Sequence, residues 1–211
     1  MNPAQVEAGQ PYQASHELTG LLSRVVAFAF EPMPVVSWLV PRLSDRWEVL
    51  PRYFRILVEH AMTRGRVETL PGNETVAVWL PAGDPTVPPI ADYERRRALV
   101  CGEHADRFAQ LDAMMRANHP DGPPHEHLAL LAVRPGRQRA GLGSRLLEHR
   151  HRQLDREARP AYLEASTMRA AELYTRHGYR HIGAPFAPGS CTASFWPMWR
   201  DPQSVNDEPA A

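Results

Sequence analysis

The sequence predicts a mixed α/β domain, with a central sheet that is partly parallel and partly antiparallel and is flanked by helices. Three observations predict it. Strand-like and helix-like stretches alternate through the second half of the chain. The most hydrophobic run, residues 127–133, is too short for a self-sufficient helix and is bounded by breakers. The first half supplies amphipathic helices followed by a hairpin.

In residues 18–30 apolar side chains recur at Leu18, Leu21, Leu22, Val25, Val26 and Ala29, the spacing of a helix packed on one face, which Pro32 and Pro34 stop. Residues 47–64 predict a second helix, interrupted or restarted at Pro51 and capped by Gly65. Residues 66–70 alternate and 75–80 are rich in β-branched and aromatic residues; with Pro71-Gly-Asn-Glu74 as turn chemistry between them, they read as a hairpin. Residues 81–89 are loop, 93–118 helical, and 119–124 a Pro/Gly-rich break before the central strand. A helix over 141–158, a strand over 162–166, a short helix over 169–176 capped by Gly178, and strands at 179–182 and 195–200 complete the series.

The chain of 211 residues, 43% hydrophobic and 23% charged, has enough length for one sizeable core, so a single domain is expected over residues 17–203. Residues 1–16 and 204–211 carry few large apolar side chains and are expected to be mobile ends. Net charge is zero, which argues against nucleic acid or an anionic membrane as partner. All 24 cationic side chains are arginine. That excludes a Walker-type phosphate loop and a Schiff-base lysine. Two cysteines, Cys101 and Cys191, fit unreactive thiols in a reducing compartment. With no signal-peptide pattern at the start and no apolar run of the ~20 residues that span a bilayer, a cytoplasmic location is expected. Monomer and homodimer both fit.

A strand ending at Val133 that gives way to a Gly/Arg-rich turn, Arg134-Pro-Gly-Arg-Gln-Arg-Ala-Gly-Leu-Gly-Ser144, and a helix from Gly141 is a phosphate-binding arrangement. The turn and helix start expose N–H groups and about half a positive charge, and glycine lets a ligand approach the main chain. The glycine spacing alone equally suits a packing turn with solvated arginines, because Gly141-Leu-Gly-Ser lacks the third glycine of the dinucleotide motif. The wider pattern Val133-x-Pro-x-x-Gln138-x-x-Gly141-x-Gly143 resembles the acyl-CoA motif of the GNAT superfamily. Residues 75–81, with Val-Trp near the end, together with Leu163-Glu-x-Ser166, Tyr174-x-x-x-Gly178-Tyr179 and Trp196-x-Met-x-Arg200, are similar to segments of its puromycin N-acetyltransferase-like branch.

The resemblance implies a GNAT fold and acetyl-CoA as cosubstrate, with no metal. Pantetheine would lie beside the backbone at Leu131, Ala132 and Val133, while Arg137, Gln138, Arg139, Ala140, Gly141, Leu142, Gly143 and Ser144 wrap the pyrophosphate and Ser166 and Ala170 add contacts. Ala170 departs from the asparagine frequent in the family. The implied reaction is acetyl transfer to a primary amine of a small molecule, in antibiotic or secondary-metabolite chemistry. A protein or peptide N-acetyltransferase and a non-catalytic acyl-CoA-binding module are the alternatives. Tyr174 matches the tyrosine beside the CoA sulfur, and His127 the position where several members carry a catalytic glutamate.

Strand alternation puts His125 and His127 on one face and Glu126 on the other. A strand-end histidine satisfied by solvent remains the plain alternative for His127. A metal reading needs a further ligand beside His119, and no carboxylate or cysteine stands at ligand spacing. Glu126 replaces the aromatic that the resemblance leads one to expect. Phe30, Trp79 and His125 are candidates for walling the acceptor site, with Trp79 otherwise a core residue and residues 28–32 placed as a lid.

Overall fold

The computed structural model describes residues 9–189 and 191–204. The expected first helix is α1, Thr19–Phe30, burying Leu22, Val25, Val26 and Ala29. Pro34 does more than stop the chain: its fixed φ opens a further short helix, α2, Pro34–Leu39, with the proline in the first turn where no N–H is needed. The helix expected from Trp47 begins earlier, as α3, Leu43–Arg64, and runs through Pro51 unbroken. The carbonyl that Pro51 leaves unpaired is that of Trp47, a half-exposed residue, so water can satisfy it. Gly65 ends α3 for a reason of space, since a Cβ there would lie 2.1 Å from the carbonyl oxygen of Trp79.

The hairpin is β2, Arg66–Thr69, and β3, Thr75–Ala82. Residues 9–16 depart from the expected mobile start. Tyr12–Gln13 form β1, paired antiparallel with β2, and Ala14 donates to the Val67 carbonyl. Residues 1–8 and 205–211 of the expected mobile ends lie outside the described residues. The region expected as one helix splits at Gly102 (φ 51°) into α4, Tyr93–Cys101, and α5, Ala105–Asn118. The central strand β4, His125–Val133, starts two residues before the hydrophobic run. Then come α6, Leu142–Arg156; β5, Ala161–Ala165; α7, Met168–Arg176; β6, Arg180–His181; and β7, Trp196–Arg200.

These strands form one sheet in the order β1-β2-β3-β4-β5-β7-β6, antiparallel except for the β4–β5 pair. Helices α1, α2, α3 and α5 pack on one face against Val67, Val76, Val78, Leu130 and Ala132. On the other face, α6 and α7 cover Ala77, Trp79, Leu128 and Leu163. Each fully buried aliphatic side chain here contributes about 1.5–3 kcal/mol. Among the described residues no helix is long and apolar enough to cross a membrane.

Two irregularities in the sheet set the faces and spacing of β4. Val78 pairs with Leu130 but Trp79 with Leu128, so Ala129 is an extra residue, a β-bulge that reverses which face successive side chains take. Hence Leu128 lies toward α6 while Leu130 and Ala132 lie toward α1 and α3. In addition, β4 and β5 pair only at Glu126↔Ala161 and His127↔Tyr162. Beyond His127 the two strands part.

Under β4, Glu126 meets Arg150 of α6 at 3.2 Å, both nearly fully buried, with Arg159 at 3.4 Å from the same carboxylate oxygen. Glu126 therefore faces away from any acceptor cleft. Removing one partner strands a buried charge, so Arg150→Leu is expected to cost about 3–5 kcal/mol, measured by urea unfolding, whereas Glu126→Leu with Arg150→Leu together should recover most of it. A double variant no better than the single would assign the loss to packing.

Candidate active site

Strand β4 ends at Val133 and the chain turns through Gly136 (φ 85°), Arg139 (φ 67°) and Gly141 (φ 74°) into α6. Left-handed backbone at Gly136 and Gly141 is available to glycine without strain and curls the turn so that its N–H groups converge. The first intrahelical bond of α6 reaches back from Arg145 N to the Gly141 carbonyl, leaving the N–H groups of Leu142, Gly143 and Ser144 without helical partners. These groups edge a cavity of about 910 Å³ between the loop and α7. Leu131, Val133, Gln138, Arg139, Gly141, Leu142, Gly143, Ser144 and Ala170 line it, as does Tyr174. Among the sequence candidates, Ala132 turns its side chain away from Leu131 and Val133, which leaves the expectation for its backbone as it was, and Ala140 does not line the cavity. Arg137 is drawn outward onto Glu74 at 2.8 Å, which Arg134 also holds at 3.0 Å. Ser166 turns its hydroxyl to the Met33 sulfur at 3.9 Å. Gln138 donates to the Val133 carbonyl at 3.3 Å and so closes the loop on the strand end.

Sequence reasoning missed Arg169 and Arg176, two cationic side chains of α7 that line the same cavity. It also missed Thr167, which caps α7 by accepting from the Ala170 N–H at 3.0 Å. The Tyr174 hydroxyl makes no hydrogen bond among the described residues, and burial raises its pKa well above the ordinary phenol value. A weaker acid of this kind donates a hydrogen bond without giving up its proton.

On the other side of the sheet, a cleft of about 580 Å³ is lined by Met115, Arg116, His119, Asp121, His127 and Glu164, with Gly83, Pro120 and Gly122 at its rim. Tyr162 and Glu164, two apart on β5, share the face of His125 and His127 on β4. Nε2 of His127 lies 2.8 Å from Oε2 of Glu164, whose side chain is only 8% exposed. Burial alone would raise the Glu164 pKa, but the facing His127 and the Tyr162 hydroxyl outweigh it and leave it below the ordinary carboxylate value. Oε1 of Glu164 is buried with no partner. His119 Nε2 meets His125 Nε2 at 3.0 Å, and His125 Nδ1 donates to the Pro123 carbonyl at 2.9 Å. Burial, reinforced by His127, lowers the His119 pKa to about 4.

None of the three acceptor-site candidates lines this cleft. Trp79 is fully buried, edge-on to His151 under α6, and walls no cleft. Phe30 packs edge-on against Phe54 at 5.3 Å in the helical layer. His125 is fully buried and meets His119 of the cleft wall. Glu164 carries the carboxylate that sequence spacing did not supply, and ligand atoms of His119, His127 and Glu164 lie within 4.8 Å of one another, a donor set that a metal ion could also use. Only the pairing of β4 with β5 brings Glu164 there.

The mixed seven-stranded sheet flanked by helices matches the fold of solved acetyltransferase structures. Residues 96–181 match the family described as an acetyltransferase (GNAT) domain. A protein described as histone acetyltransferase HPA2 and related acetyltransferase from Corynebacterium glutamicum has 24% identity and a TM-score of 0.70, covering 94% of this chain and 98% of that one. Mosquito arylalkylamine N-acetyltransferase like 5b follows with 15% identity, TM-score 0.61 and coverage of 92% and 100%. The polyamine N-acetyltransferase of Drosophila melanogaster has 16% identity, TM-score 0.59 and coverage of 92% and 99%. No curated protein matches the chain in sequence.

Proposed function

We propose that this chain is an acetyl-CoA-dependent N-acetyltransferase that acetylates a primary amine of a small molecule by direct attack on the thioester. The observation that carries the reading is the parting of β4 and β5 beyond His127. It leaves unpaired backbone groups along β4 for the pantetheine amides, as an added strand would use them. It also lies between the loop cavity on the α6–α7 face and the histidine cleft on the α5 face, so cofactor and acceptor can meet through the sheet. The loop N–H groups, the α6 start, Arg139, Arg169 and Arg176 suit the CoA phosphates. An amine with a pKa near 10.4 is mostly ammonium at neutral pH, and His127 is placed to take its proton. Tyr174 then donates a hydrogen bond to the departing thiolate. Neighbours described as arylalkylamine and polyamine acetyltransferases support a small acceptor, as does the resemblance to the puromycin branch.

Thiol release from acetyl-CoA across a panel of small amines, with peptide amines alongside, tests this. Turnover with small amines supports it; turnover confined to peptides moves the acceptor class. Tight CoA binding without thiol release on either panel leaves a binding module. The pocket itself has a separate check. A Cβ at Gly143 would sit in ordinary contact with the Leu131 and Val133 side chains at 3.7 and 3.9 Å, so the fold tolerates one, but the extra methyls of Gly143→Val project where phosphate oxygens must approach. The acetyl-CoA KM should rise on the order of tenfold or more, equivalent to about 1.4 kcal/mol. Arg137→Ala, removing a side chain already held on Glu74, should leave it nearly unchanged.

A further inference from the structure

We infer that Glu164 is the positioning residue of this site: it accepts a hydrogen bond from the Nε2–H of His127, fixes that tautomer, and makes Nδ1 the atom that accepts the proton of the incoming amine. The inference rests on the acetyltransferase reading and adds a residue and an atom to it.

An ionised carboxylate can only accept, so across the 2.8 Å contact His127 must donate from Nε2. A neutral imidazole carries one proton, which leaves the lone pair on Nδ1. The neighbouring histidines reach their own tautomers by the same logic. His125 spends Nδ1–H on the Pro123 carbonyl, so its Nε2 accepts from Nε2–H of His119. Burial disfavours charge on both, so His119, whose ring stands edge-on to His127 at 5.1 Å, adds no positive charge beside it. The groups facing His127 are then the Glu164 carboxylate and Tyr162 from β5, neutral His125 from β4, neutral His119, and Asp121 and Arg116 around the cleft. When an ammonium N–H passes its proton to Nδ1, the freed nitrogen lone pair forms the bond to the acetyl carbon, the C–S bond breaks, and the second proton shed by the nitrogen as it becomes an amide passes to the departing thiolate, which leaves as the free thiol. The resulting imidazolium, protonated at both nitrogens, sits against the Glu164 charge until Nδ1 returns its proton to water in the cleft.

Glu164→Gln and Glu164→Asp test this. The glutamine keeps the volume and removes the charge. Its kcat should fall about 100-fold with the acetyl-CoA KM unchanged, while the aspartate should retain part of the rate. Ring ¹⁵N shifts of His127 in the unliganded protein give a readout independent of turnover. They should show a proton on Nε2 in the wild type and a redistribution toward Nδ1–H in Glu164→Gln. A wild-type His127 protonated on Nδ1, or a Glu164→Gln enzyme with native kcat, overturns the assignment. So does zinc that copurifies, is lost in Glu164→Gln, and whose removal by chelator abolishes turnover, because the three residues would then be ligands. If no amine is acetylated but the ¹⁵N pattern holds, the acetyltransferase reading fails and the His127–Glu164 pairing stands.

Discussion

His127→Ala is expected to lower kcat/KM for the amine by about 10²- to 10⁴-fold near neutral pH, the range of a lost general base. The loss should be greatest at low pH. With an amine pKa near 10.4, only about one molecule in 2,500 is unprotonated at pH 7, and each pH unit upward raises that fraction about tenfold. The variant depends wholly on amine already neutral in solution, so its rate should climb toward wild type as pH approaches the amine's own pKa. A histidine serving only the strand end predicts a profile parallel to wild type. Because alanine also leaves Glu164 without its partner, thermal unfolding of the variant must be measured beside the kinetics. A small pH-independent loss with a lower Tm would reassign His127 to structure.

Much of the fold was legible because its signals are local. Periodicity located α1, turn chemistry the β2–β3 hairpin, and the Gly141–Gly143 spacing the start of α6. Misreadings arose where a distant partner decides the outcome. Pro51 sits inside α3 because its freed carbonyl falls on the exposed side. Two polar residues became β1 because the β2 edge was open to them. The turn from Gly136 into α6 could be read because its signals are main-chain and contiguous. Trp79 could not, since a large aromatic next to a proline suits a groove wall or a core equally well, and only packing under α6 distinguishes them. The bulge at Ala129 leaves the alternation of His125, Glu126 and His127 intact but sets Leu130 and Ala132 on the α1–α3 face, a shift that no local pattern announces. Glu164 was visible within Leu163-Glu-x-Ser166, but its role depends on β5 standing parallel to β4 with Tyr162 opposite His127, a register no local pattern encodes.

Tyr174→Phe should lower kcat about 10- to 1,000-fold while acetyl-CoA affinity and Tm stay near wild type. The ring is 8% exposed and packs edge-on against Tyr179 at 5.8 Å, contacts that phenylalanine keeps. Only the hydroxyl is lost, and it has no hydrogen-bond partner among the described residues whose loss would add a folding cost. Proton transfer from a phenol of pKa about 10 to a thiolate of pKa about 8.5 would already be uphill by about 2 kcal/mol, and burial of Tyr174 makes it harder still. On the proposed mechanism the hydroxyl acts by donating to the sulfur as charge develops there, which stabilises the transition state more than the bound thioester. A leaving-group series separates the two roles. If Tyr174 donates to the sulfur, acyl donors with more acidic thiols, which need less help to depart, should narrow the gap between Tyr174→Phe and wild type. An equal deficit with every thiol would place the tyrosine's effect elsewhere in the cycle, in binding or product release.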